Sequence, residues 1–142
     1  MRVRFSTLVF AFLFFSDQIT KILVDLFSNT LLFINPICNS GIAWGAPIMP
    51  ALFYPLWLAL LLFLARLLTK AIDNRNKVAL ILILAGGFSN MLDRVFYGCV
   101  RDFIDLKIWP IFNLADIYIT IGVLFFIANI LRNHKSKVLN PK

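Results

Sequence analysis

The sequence predicts a membrane all-α protein: a bundle of four transmembrane helices with a small β-rich loop region on its extracytoplasmic side. Three observations lead there. Hydrophobic residues make up 61% of the 142 residues and charged residues only 15%, more apolar surface than one soluble core of this size can hide. The apolar residues gather into stretches of about 20, the length a helix needs to cross the hydrocarbon layer. Lysines and arginines collect at the ends of those stretches, so topology explains the net charge of +7 better than nucleic acid does, and no basic stripe or recognition motif is present.

The first span covers residues 5–27 and is interrupted by Ser16-Asp17-Gln18 and Lys21. Arg2 and Arg4 ahead of Leu8 to Phe15 resemble a secretory signal. However, no small-residue cleavage site follows and apolar character resumes at Ile22, so the segment is read as a retained helix. The second, third and fourth spans are 51–69, 78–96 and 112–131. Between them, residues 28–50 mix turn formers (Asn35-Pro36, Asn39-Ser40-Gly41, Gly45) with Leu31, Leu32, Phe33, Ile37 and Trp44, which predicts short strands at the interface. In residues 97–111, Val100, Phe103, Ile104 and Ile108 predict a further strand or extended stretch. No repeat or separate soluble domain interrupts residues 1–142, so one integral membrane domain is expected.

Outside the spans, nine Lys and Arg residues lie at the N-terminus, in the 70–77 loop and in the tail, against Arg101 and Lys107 alone in the other two connections. Both termini and the 70–77 loop are therefore expected in the cytoplasm, with 28–50 and 97–111 outside. Both cysteines, Cys38 and Cys99, fall in these outer segments, where an oxidising compartment permits a disulfide; two free thiols fit the spacing equally well. One histidine, His134 in the basic tail, leaves no ligands for a transition-metal site, so no cofactor is expected.

Chemistry falls to the acids. All seven are aspartates, and Asp17, Asp93, Asp102 and Asp116 lie inside or at the edge of spans, where an unpaired carboxylate is costly. Asp102 and Asp116 flank the second outer segment. A loop of that length can fold back and bring two carboxyls together to share one proton, giving an acid and a base that activate water. The same spacing also fits two ordinary helix-end aspartates, one capping a turn and one in a first helical turn. In the third span, Asn90, Asp93 and Arg94 share one face, and an arginine there needs a partner, supplied by Asp93 or by a carboxylate of another helix. A buried polar network that orients the outer loops is the favoured role of that group. The preceding Ala85, Gly86, Gly87 and Ser89 suit close helix packing. Asp17 and Lys21, at i and i+4, read as a structural pair.

Five segments together resemble the bacterial lipoprotein signal peptidases, or signal peptidase II: Asp17-Gln18-Ile19-Thr20-Lys21, Asn39-Ser40-Gly41-Ile42-Ala43-Trp44-Gly45, Asn90-Met91-Leu92-Asp93-Arg94, Val100-Arg101-Asp102-Phe103 and Phe112-Asn113-Leu114-Ala115-Asp116. They occur in the order and topological positions of that family, from the first span to the fourth. Ile42 and Trp44 stand where Ala and Phe are commoner, and the small residues before Asn90 are shifted.

The resemblance implies a multi-pass aspartic endopeptidase of the bacterial inner membrane. Its substrates would be diacylglyceryl-modified prolipoproteins, cut just before the lipidated cysteine. The catalytic pair would be Asp102 and Asp116, with Asn39, Gly41, Asn90, Arg94 and Asn113 as supporting residues and Asp93 as a structural acid. Globomycin-type cyclic peptides would occupy the substrate site. Membrane lipids are the other expected partners of what is taken to be a monomer, and Phe33 and Trp44 suit anchoring at headgroup level. Two rivals remain. A proton-coupled exporter would place its carboxylates near the bilayer midplane, and an assembly protein would need no paired acids. A magnesium-dependent transferase is disfavoured because the Asp spacing builds no obvious carboxylate cage.

Overall fold

The computed structural model describes residues 2–27, 34–41, 49–71 and 73–139. In chain order these form α1 (Arg2–Phe27), β1 (Ile34–Asn39), α2 (Pro50–Lys70), α3 (Asn74–Tyr97), β2 (Val100–Ile104) and α4 (Leu114–Leu139). The four helices are long and apolar enough to cross a membrane, and the two strands pair in a small antiparallel sheet, the architecture the sequence predicts. Leu31, Leu32, Phe33, Trp44 and Gly45, and with them the anchoring expected of Phe33 and Trp44, lie outside the described residues.

The bounds of α3 and the start of α4 depart from the hydrophobic pattern for local reasons. Helix α3 starts at Asn74 because the Asp73 side chain accepts a hydrogen bond from the Arg75 N–H at 3.0 Å, which allows a polar first turn that carries no hydrophobic signal. It stops at Gly98, whose left-handed φ of 74° lets its N–H reach the Arg94 carbonyl. Helix α4 starts at Leu114 rather than 112 because the backbone of Phe112 is committed to the sheet, donating to Ile104 O at 3.2 Å and accepting from Ile104 N at 2.8 Å. At its far end α4 continues through the basic tail to Leu139.

Helix α3 is the inner member of the bundle. Ala79, Leu80, Ile81, Leu84 and Ala85 are buried on it, and its glycine pair meets the neighbouring helices at close range. A Cβ on Gly86 would strike the Ala115 carbonyl oxygen, and one on Gly122 of α4 would lie 2.8 Å from the Ala79 carbonyl oxygen. Small residues here let α3 and α4 pack backbone to backbone, as helices in lipid commonly do. Phe12, Leu56 and Leu124 point outward and exposed, an apolar surface suited to acyl chains. Because β1 follows α1, β2 follows α3 and the two strands pair, both strand-bearing connections lie at one end of the bundle.

Candidate functional site

Strand register sorts the residues at that end. Ile37 pairs with Asp102 and Asn39 with Val100, so these four share one face of the sheet, while Cys38 and Arg101 pair on the other. The first face closes a cavity of about 660 Å³ whose polar wall is Asn39, Asn90, Arg94, Asp102 and Asp116, with Phe53, Trp57 and Ile119 among its apolar lining.

The chain returns from Asp102 to Asp116 by a tight path. Asp105 accepts from the Lys107 backbone N–H at 2.9 Å, Lys107 adopts a left-handed φ of 65°, and Phe112 re-joins Ile104. Asn113 is thereby set beside Asp102, 2.7 Å from its Oδ1 through Nδ2. The same residue caps α4. Its Oδ1 accepts from the Asp116 N–H at 2.9 Å, and Asp116 Oδ2 accepts in return from the Asn113 N–H at 3.2 Å, a reciprocal capping box. Asp116 thus stands at a helix end and also lines the cavity: the cap is what aims the carboxyl. Asn90 Nδ2 donates to its other oxygen at 2.8 Å, and Asn39 Nδ2 donates to Asp102 Oδ2 at 2.9 Å. Spacing alone allows a direct carboxyl pair; the structure holds each carboxyl by two donors, with Asn113 common to both.

Burial pushes the Asp102 carboxyl up to about 6; the Asn39 hydrogen bond opposes this and the nearby Asp116 charge adds to it. A folded-state value above the ordinary 3.8 means that the folded protein keeps a proton the unfolded chain has lost. Stability from this group is full below about pH 4 and is lost as pH rises through about 6, a change of roughly 3 kcal/mol. Thermal unfolding in detergent should therefore show the wild type losing ground against Asp102→Asn between pH 4 and pH 7. A gap independent of pH would contradict it.

Behind the cavity lies a buried ionic cluster. Lys21, wholly buried, reaches Asp17 at 2.7 Å, Asp93 at 3.0 Å and the Asn90 side-chain oxygen at 3.0 Å. Asp17 also accepts from Ser89 at 2.7 Å and from the Ala115 N–H at 2.8 Å, placing a carboxylate at the positive end of α4. Asp93 binds Arg101 at 2.8 Å, and Gln18 bridges Ser89, Asp93 and Arg101. The structural pairing expected of Asp17 and Lys21 is thus part of a larger network that touches the site through Asn90.

Arg94 gives its hydrogen bonds to backbone rather than to a carboxylate: Nη2 donates to the Gly41 carbonyl at 2.9 Å, Nη1 to the Asn90 carbonyl at 3.4 Å, and the guanidinium lies over the Phe53 ring, while the Asp102 and Asp116 charges act on it across the cavity. Asp93, one residue earlier on the helix, is taken instead by Lys21 and Arg101. Gly41 in turn donates to Asn39 Oδ1 at 3.0 Å, so Arg94 fixes the segment that carries Asn39. The hydrophobic pattern gave no notice of Gln18 and Arg101 as network members, although both sit beside aspartates that needed partners. Of the two readings of the cysteines, the structure has the disulfide, Cys38–Cys99, with Cα atoms 5.4 Å apart.

Comparison with known proteins bears on what this arrangement belongs to. The family model described as signal peptidase (SPase) II matches residues 9–132. A lipoprotein signal peptidase of Syntrophus aciditrophicus is 35% identical over 122 residues, covering 80% of this chain and 76% of its own. One from Wigglesworthia glossinidia brevipalpis is 33% identical over 141 residues, covering 87% and 92%. A solved structure described as a bacterial membrane enzyme superposes with a TM-score of 0.86 at 30% identity, covering 99% of this chain and 94% of that one. The chain belongs to the signal peptidase II family and is a multi-pass membrane protease.

Proposed function

We propose that this protease is an aspartic endopeptidase that removes the signal peptide from diacylglyceryl-modified prolipoproteins by cutting just before the lipidated cysteine. The observation that carries the reading is Asn113, which donates to Asp102 from its side chain and to Asp116 from its backbone, so that one residue fixes two carboxyls on one cavity wall. Asp116 lies in the first turn of α4, where the helix dipole favours an anion. Asp102, buried and raised to about 6, is the carboxyl that holds the shared proton up to about pH 6.

The division of labour follows. Asp116 takes a proton from water as the oxygen attacks the scissile carbonyl carbon, and Asp102 donates its proton to the carbonyl oxygen. Collapse of the resulting diol breaks the C–N bond, the leaving amine takes up a proton and the pair is reset. Asn39, Asn90 and Asn113 hold the two carboxyls in place, while Arg94 secures Gly41, which in turn donates to Asn39. Asp116 stands in the first turn of α4 and Asp102 on the strand at that end of the bundle, neither at mid-span, the depth at which a lipid anchor would hold the bond beside them. That placement favours a protease over a midplane exporter.

The purified protein in detergent should release the signal peptide from a diacylglyceryl-modified prolipoprotein at an undiminished rate in strong chelator, because the dyad needs only water. Activity lost with chelator and restored by added metal would overturn the mechanism.

The Lys and Arg distribution supports placement in the bacterial inner membrane with both termini and the α2–α3 connection cytoplasmic. A cysteine introduced at Asn74 should therefore resist an impermeant thiol reagent in intact cells. Labelling of that position would sink the topology.

A further inference from the structure

Cys38 immediately precedes Asn39, the β1 residue that donates to Asp102, and Cys99 immediately precedes β2, three positions before Asp102 itself. The bridge closes a loop over 61 positions of sequence and ties the strand bearing the amide to the strand bearing the acid. Asn39 is held by its pairing with Val100, by Gly41, whose carbonyl Arg94 grips, and at the preceding position by the disulfide, the covalent tie among the three. Cys38 is exposed at the rim of a second cavity, of about 190 Å³, which Asp102 also lines, so a small reductant in solution can reach the bond.

We propose that the Cys38–Cys99 disulfide is a positioning element for the reaction: it holds the Asn39 amide on Asp102, and its reduction frees the acid from that partner. The proposal rests on Asp102 acting as the acid. The charged groups facing Asp102 are Lys21 from α1, Arg94 from α3 and Asp116 from α4, while β1 presents only the neutral Asn39. With the three charges fixed on helices and Asn113 held at the start of α4, Asn39 is the partner of Asp102 that sits on the stapled strand. Its hydrogen bond favours the carboxylate, so losing it moves the proton affinity of Asp102 upward.

The test uses the folded protein. A trialkylphosphine with one water converts the disulfide to two thiols and itself to the phosphine oxide, and because the chain has two cysteines nothing else is reduced. Two quantities are read against pH in oxidised and reduced protein: the rate on a diacylglyceryl-modified prolipoprotein, and the infrared band of the protonated carboxyl that Asp102→Asn abolishes. On reduction the plateau rate should fall by about tenfold to a hundredfold. The band midpoint should rise by roughly half a pH unit to one unit. Oxidised Asn39→Ala should show the same rise, and reducing that variant should add nothing to it. An unmoved midpoint overturns the proposal whether or not the rate falls, since a merely structural staple would alter the rate alone. A midpoint that moves while the alkaline limb of the rate profile does not follow it confirms the coupling and removes Asp102 from its role as acid.

Discussion

Asp102→Asn and Asp116→Asn should each lower kcat at least about a thousandfold while leaving a folded protein that still binds a globomycin-type inhibitor. Each substitution keeps the side chain's shape and removes one member of the proposed acid–base pair. The structural cost is contained. Each carboxyl accepts two hydrogen bonds, and an amide in its place keeps one acceptor while turning an NH₂ toward a donor, a loss of about 1 to 3 kcal/mol. At Asp102 that loss is offset near neutral pH, because a neutral amide replaces a group whose ionisation burial opposes. The check is single-turnover cleavage beside thermal unfolding with and without inhibitor. Either variant cleaving at more than a few per cent of the wild-type rate would exclude its carboxyl from the chemistry.

Asp93→Asn should behave in the opposite way, losing about 3 to 5 kcal/mol of stability and, through that loss, its activity. Asp93 is wholly buried and receives Lys21 on one oxygen and Arg101 on the other, with the Arg101 N–H and Gln18 also donating. Neutralising it leaves two cations short of a counter-charge and faces a donor NH₂ against them. Because Lys21 also reaches Asn90, and Asn90 reaches Asp116, the disturbance extends to the site. A fall in melting temperature of about 10 °C or more is expected in detergent. An Asp93→Asn protein that melts like the wild type and is nevertheless inactive would show that the residue acts in catalysis.

The fold was legible where apolar length and charge placement decide it. Four spans follow from the pattern that lipid imposes, the two outer strands from turn formers among apolar residues, and the Asn90, Asp93 and Arg94 spacing was enough to mark α3 as polar on one side. What spacing leaves open is which partner each charge takes. Asp93 and Arg94 are adjacent on the helix yet face different elements, and only the path of β1 and β2 decides that Arg101 goes to Asp93 and Gly41 to Arg94. The boundaries at Asn74 and Leu114 were hidden for the same reason, since a capping aspartate and a bridging Phe112 act through backbone bonds that hydrophobicity does not record. Residues Asn113 and Asp116 were recognisable by family resemblance. Their reciprocal cap is a local feature three positions apart, and it explains physically why an asparagine stands before that aspartate.

The most direct measurement is the intact mass of both fragments released from a diacylglyceryl-modified prolipoprotein, alongside the same precursor without its lipid. The account predicts one fragment beginning at the lipidated cysteine, its partner ending at the residue before it, and little or no cleavage of the unlipidated precursor. A cut at any other bond, or equal cleavage of the unlipidated chain, would contradict a site whose two aspartates are matched in depth to a lipid-anchored bond.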